Sequence, residues 1–119
     1  MDEPIVVVDT NKEQCQELRA ILEGEHYRIT VLDSLLNLKE NIQEGAFQAV
    51  ILDLDSLPVD NRFIRDLRRK DPGVRIIALS SRRLHPELDE AMSTHIYACL
   101  SKPVDSEELI FWLKSACKK

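Results

Sequence analysis

The sequence predicts an α/β fold: one open, doubly wound sheet of five parallel strands with helices on both faces. Two observations carry this. Short apolar runs alternate five times with stretches of helical period, and four of the five runs are nearly continuous rather than alternating. Continuous runs suit parallel strands covered on both faces, and repeated strand–helix units imply right-handed crossovers. Five units are too few to close an eight-stranded barrel, so the sheet stays open.

The strands read as Ile5–Val8, Tyr27–Leu32, Ala49–Leu52, Ile76–Leu79 and Ile96–Leu100. The second differs from the rest, because Tyr27, Ile29 and Val31 alternate with Arg28 and Thr30. That alternation predicts a more exposed strand at a sheet edge. Between the runs the period turns helical: Cys15, Leu18, Ile21 and Leu22 form the first apolar face, and Leu35, Leu38 and Ile42 the second, with Ser34 as N-cap. Phe63, Ile64 and Leu67 form the third. Leu88, Ala91 and Met92 form the fourth, where Pro86 suits a first helical turn. Leu109, Trp112, Leu113 and Ala116 form the fifth, opened by an Asp105…Glu108 pair that resembles a capping box. Gly24, Gly45 and Pro72-Gly73 mark the returns.

A length of 119 residues fits a single domain spanning 1–119, and 44% apolar residues can bury a core. The net charge of −5 speaks against nucleic acid or an anionic membrane as a direct partner. The basic clusters Arg65–Arg68–Arg69–Lys70 and Arg82–Arg83 read as solvated surface. Neither a signal peptide nor a long apolar run is visible, which points to the cytoplasm. There Cys15, Cys99 and Cys117 would stay reduced, as small buried hydrophobes. His26, His85 and His95 lie around element ends, show no metal-ligand spacing, and read as surface residues.

Ligands of open α/β sheets bind at the carboxyl ends of the strands. Four of the apolar strands end there in polar groups: Asp9-Thr10, Asp53, Ser80, and Ser101-Lys102-Pro103. Singly, each has an ordinary explanation as a cap, a turn or a solvated charge. Together, two carboxylates, a hydroxyl and an ammonium suit phosphoryl chemistry. One carboxylate can attack phosphorus, its neighbour can hold Mg²⁺, and the hydroxyl and ammonium can bind phosphoryl oxygens.

The pattern Ile5-Val6-Val7-Val8-Asp9, Val50-Ile51-Leu52-Asp53, Ile77-Ala78-Leu79-Ser80, Leu100-Ser101-Lys102-Pro103 resembles the response-regulator receiver domains of two-component signalling. It spans nearly the whole chain, with Ser80 27 residues after Asp53 and Lys102 22 after Ser80. The resemblance implies a flavodoxin-like (βα)5 sheet in order 2-1-3-4-5, with the alternating strand at an edge. It implies Asp53 as phosphoacceptor, Ser80 as switch hydroxyl and Lys102 as phosphate contact. Asp9 and Asp53 would hold Mg²⁺, and a cis peptide bond would precede Pro103. The phosphoryl donor would be a histidine kinase or phosphotransfer protein. The recipient of the signal would be an output domain or a downstream protein. Chemistry beyond self-phosphorylation and autodephosphorylation at Asp53 is not expected. Phosphorylation would bias the surface of the fourth helix, fifth strand and fifth helix, near Lys114, Lys118 and Lys119.

Three positions depart from that family's pattern. Thr10 stands where a second acid is usual, which should weaken Mg²⁺ binding; Asp55 is the candidate to compensate. Pro58 comes one residue late in the loop after Asp53. Cys99 occupies the aromatic switch position, and Tyr97, on the same face, reads as a packed edge residue. These departures make a phosphorylation-independent interaction module the alternative. The segment Val50–Asp60 also resembles the first motif of haloacid-dehalogenase-type phosphatases, although two strand–helix units precede it here.

Overall fold

The computed structural model describes residues 3–117. Five strands, β1 (Glu3–Val8), β2 (Tyr27–Leu32), β3 (Ala49–Asp53), β4 (Arg75–Ser80) and β5 (Ile96–Ser101), form one parallel sheet in order β2-β1-β3-β4-β5. The helices are α1 (Lys12–Glu23), α2 (Leu35–Asn41), α3 (Asn61–Lys70) and α4 (Ser106–Ala116). Between β4 and β5 runs a broken helical segment, a 3₁₀ turn at Pro86–Leu88 and a π-turn at Ala91–His95.

Alternate residues of the central strands enter two core layers. Val6, Val8, Val50, Leu52 and Ile76 pack with Leu38 of α2, Ile64 and Leu67 of α3, and Leu88 and Ala91 of the broken segment. Ile5, Val7, Ile51, Ile77 and Leu79 pack with Leu18 and Leu22 of α1 and Leu109 and Leu113 of α4. Fully burying one such Val, Leu or Ile contributes about 1.5–3 kcal/mol, so the two layers dominate the fold's stability. Helix starts are capped by side chains: Asn11 for α1, Ser34 for α2, Asp60 for α3 and Asp105 for α4. Asp105 Oδ1 accepts from the Glu107 and Glu108 amides at 2.8 and 3.2 Å. The return after α1 turns at Gly24, but the left-handed residue is His26, with φ of 66°.

Four expectations need correction. The fifth strand is not covered on both faces: it closes the sheet edge opposite β2, and only Leu100 in it is buried. Cys99 is therefore exposed, Cys15 is buried and Cys117 half-buried. His85 is buried, not superficial, with Nε2 3.2 Å from the Arg82 carbonyl. The fourth helix is broken because side chains compete for its backbone. Asn61 Oδ1 accepts from the Ala91 amide at 3.0 Å, Asn61 Nδ2 donates to the Glu87 carbonyl at 3.2 Å, and Ser93 Oγ donates to the Asp89 carbonyl at 2.9 Å. Lys118 and Lys119 lie outside the described residues.

Candidate functional site

Strand register alone brings the polar ends together. Val8 pairs with Leu52, so Asp9 and Asp53 emerge side by side; Asp53 pairs with Leu79, one residue before Ser80. Ser80 pairs with Ser101, one residue before Lys102, and the Lys102 amide donates to the Ser80 carbonyl at 3.1 Å. Asp9, Asp53 and Ser80 are 1–2% exposed although each ends a strand at the rim.

Asp9 is held by the turn that starts α1. Its amide extends the ladder to the Leu32 carbonyl, its Oδ1 accepts from the Asn11 amide at 2.9 Å, and its Oδ2 accepts from the Gln14 side chain. Burial pushes the Asp9 carboxyl above the usual carboxylate range, and the Asp53 charge beside it pushes the same way; the bonds from Asn11 and Gln14 offset this only in part.

Asp53 goes in the other direction. Burial is the largest single influence and raises its pKa, but the contacts around the carboxylate together outweigh it. First among them is Lys102, whose Nζ donates to Asp53 Oδ1 at 2.6 Å, and then the neighbouring Asp9. The Asp55 amide at 3.1 Å on Oδ1 and the Ser56 hydroxyl at 2.9 Å on Oδ2 add to the lowering. Asp53 is thus an anion at neutral pH, the form a nucleophile needs. Lys102 bridges to Asp55 as well, at 2.9 Å, and burial's tendency to lower its pKa is overcome by the two carboxylates. The same Asp55 oxygen, Oδ2, also accepts from the Ser81 amide at 3.0 Å, with Oδ1 at 3.3 Å from that amide. Asp55 is therefore brought to Lys102, not to the Asp9–Asp53 pair.

Sequence reasoning missed two residues. Gln14 orients Asp9, and Ser56 Oγ lies between the carboxylates, 2.9 Å from Asp53 Oδ2 and 3.4 Å from Asp9 Oδ1. No local pattern marks either residue. Only the register that sets Asp9 beside Asp53 gives the intervening hydroxyl a meaning.

Ser80 faces away from this cluster into its own loop, where Oγ accepts from the Arg82 amide at 2.9 Å. Tyr97 is committed to packing: its ring meets Trp112 edge-on at 5.8 Å, Arg75 lies 5.1 Å over its face, and its hydroxyl bonds to Ser115 Oγ. The basic clusters are partly neutralised, with Arg65 on Glu90 at 2.7 Å and Arg82 on Glu87 at 2.8 Å. The bond preceding Pro103 is cis.

Could these residues hold Mg²⁺? Among the described residues no group of three or more His, Cys, Asp or Glu side chains could hold a metal. Mg²⁺ needs less than that: it binds through one or two carboxylates and keeps several waters. Two buried carboxylates with a hydroxyl between them form such a sparse oxygen site, so the residues fit the ion.

Comparison with known proteins agrees with this architecture. The response regulator receiver domain family matches residues 5–114. The transcriptional regulatory protein ZraR of Klebsiella oxytoca is 25% identical over 113 residues, 94% of this chain but only 26% of that protein. The chain thus spans about a quarter of that relative's length. A CheY-like receiver domain from Methanospirillum hungatei superimposes with a TM-score of 0.86 at 17% identity, covering 98% of this chain and 94% of that one. The receiver domain of the sensor histidine kinase PA1611 from Pseudomonas aeruginosa, solved with a magnesium ion in its active-site cleft, has a TM-score of 0.76 at 22% identity and full coverage of both chains. The phosphatase resemblance of Val50–Asp60 finds no support in this fold or these relatives. With strand order, rim residues and a family match over nearly the entire sequence in agreement, the chain belongs to the response-regulator receiver domain family.

Proposed function

We propose that this chain is a phosphoacceptor receiver: Asp53 takes a phosphoryl group from a phosphohistidine of a histidine kinase or phosphotransfer protein. The observation that supports this most is the Asp53 carboxylate, buried, kept ionised, and held by Lys102 Nζ at 2.6 Å. In the transfer an Asp53 oxygen forms a bond to phosphorus as the phosphorus–nitrogen bond to histidine breaks. Mg²⁺, when bound at Asp9 and Asp53, supplies positive charge that offsets repulsion between the carboxylate and the phosphoryl group.

The remaining steps belong to this chain's own side chains. Lys102 exchanges a carboxylate oxygen for a phosphoryl oxygen, while Asp55 keeps its ammonium aimed at the site. Ser80 gives up the Arg82 amide and turns its hydroxyl to the phosphoryl group, which loosens the loop leading into the broken segment. The surface around that segment, β5 and α4 then changes for an output domain or downstream protein. Tyr97 is no part of the switch, since α4 holds both its ring and its hydroxyl. We assign the domain to the cytoplasm, where such kinases present their phosphohistidine.

Incubation with Mg²⁺ and acetyl phosphate, followed by mass spectrometry, tests the reading. Wild type should gain one phosphoryl mass and Asp53→Asn none. A wild type that stays unmodified beside a competent receiver would replace this function with phosphorylation-independent partner binding.

A further inference from the structure

Thr10 leaves the acid pair one oxygen ligand short, and the structure shows an oxygen in a position to supply it. Ser56 Oγ donates to Asp53 Oδ2 at 2.9 Å, approaches Asp9 Oδ1 at 3.4 Å, and is steadied by the Thr10 amide at 3.4 Å. Ligands at adjacent corners of an octahedron with Mg–O bonds of roughly 2.0–2.1 Å are about 2.9 Å apart. Of the two edges that meet at Ser56 in the Asp9–Asp53–Ser56 triangle, the one to Asp53 already has that length at 2.9 Å, and the one to Asp9, at 3.4 Å, needs to close only slightly.

The loop explains why the hydroxyl sits there. The Leu54 amide bonds to the Leu79 carbonyl at 2.9 Å, and Leu57 is buried in the core. Between these two anchors Ser56 is turned back over the strand ends, with the late Pro58 following. Asp55 is unavailable for the task, its carboxylate being shared by Lys102 and the Ser81 amide.

We infer that Ser56 is a neutral protein ligand of the divalent cation, completing with Asp9 and Asp53 a facial set of three oxygens. Without the ion, the Ser56 proton bridges toward the two anions and relieves their repulsion. With the ion, that proton turns outward and an oxygen lone pair faces the metal. The hydroxyl thereby replaces an acid's oxygen without its charge. This rests on reading Asp9–Asp53 as the metal pair of a phosphoacceptor.

Mg²⁺ titration of the unphosphorylated chain by calorimetry, at constant ionic strength, tests the assignment. Ser56→Ala should weaken Mg²⁺ affinity about tenfold, in the range typical for loss of a group that supports a metal site. Ser56→Thr, which keeps the hydroxyl, should restore most of it, and Ser56→Gly should match Ser56→Ala if the alanine variant folds poorly. Unchanged or tighter binding by both Ser56→Ala and Ser56→Gly would overturn the inference, showing a hydroxyl that merely obstructs. A wild type that binds no Mg²⁺ would overturn it too. The phosphoryl assay separates the two readings. A wild type that gains phosphoryl mass while Ser56→Ala binds Mg²⁺ normally refutes only the ligand role. A hydroxyl-dependent Mg²⁺ site without phosphoryl gain refutes only the phosphoacceptor role.

Discussion

Asp9 is a buried carboxylate kept beside a second one, and the stability of the fold is lower for it. Its pKa is raised, by burial first and by the Asp53 charge as well, so the folded protein binds its proton more tightly than the unfolded chain does. The linkage runs accordingly: the favourable term is complete below the unfolded value near 3.8 and is lost as pH rises through the elevated folded value. Asp53 acts oppositely, contributing above the unfolded value and losing that contribution as pH falls through its depressed pKa. Asp9→Asn should therefore stabilise the domain at pH 7, because it removes a buried charge beside Asp53, while weakening Mg²⁺ binding. Denaturant midpoints should show that gain shrinking as pH falls through the raised folded pKa and wild-type Asp9 takes up its proton; a gain independent of pH would refute the electrostatic cause. Such exchange of stability for function is expected where like charges are held together for chemistry. The polar strand ends could be read directly from the sequence, because each follows an apolar run. Asp55's orientation toward Lys102 could not, since spacing alone cannot say which way a side chain two residues past Asp53 points.

At the scale of elements, the broken segment between β4 and β5 depends on α3. Asn61 makes two bonds to its backbone, at the Ala91 amide and the Glu87 carbonyl, in a half-buried position. Arg65 and Glu90 add a two-pronged ion pair at 3.0 and 2.7 Å, which holds the Glu90 carboxyl at about 2. That pair is solvated, so water and salt screen it and its loss should change little. Leaving the amide of the buried Ala91 without a partner is costlier, although the exposed Glu87 carbonyl can turn to water. Asn61→Ala should destabilise by about 1–2 kcal/mol, and chemical denaturation should rank it well above Arg65→Ala; the reverse order would refute the argument. The five strand–helix units were legible because their apolar periods differ sharply. The break in the fourth helix was not, because its cause is a side chain some 30 residues away in sequence. Exposure of β5 was hidden for a related reason: an apolar run at an edge has the same composition as one in the centre, and only the strand order tells them apart.

For the whole molecule, sheet order divides rigidity from responsiveness. β3 is buried along its full length and β4 beyond Arg75, both lying between other strands, whereas β2 and β5 each have one unpaired edge. Beyond Ser80 the chain changes character, with Arg82, Arg83 and Leu84 exposed and only the buried His85 and Leu88 anchoring the start of the broken segment. Regions with few buried apolar contacts open locally at much less than the free energy of global unfolding. The Ser80 hydroxyl, proposed above to move to the phosphoryl group, sits at the border between these regimes, buried in β4 but bonded to the first residues of the loop. Amide hydrogen exchange should therefore find Val50–Leu52 and Ile76–Leu79 exchanging only through global unfolding. The amides of residues 82–90 should exchange orders of magnitude faster, through local opening. Adding Mg²⁺ and acetyl phosphate should speed exchange further in 82–90, as Ser80 leaves the Arg82 amide for the phosphoryl group, and leave the central strands unchanged. Equal protection of 82–90 and β4 in the untreated protein would mean that the segment is part of the rigid core. A Ser80 shift could then not be passed through it to a partner.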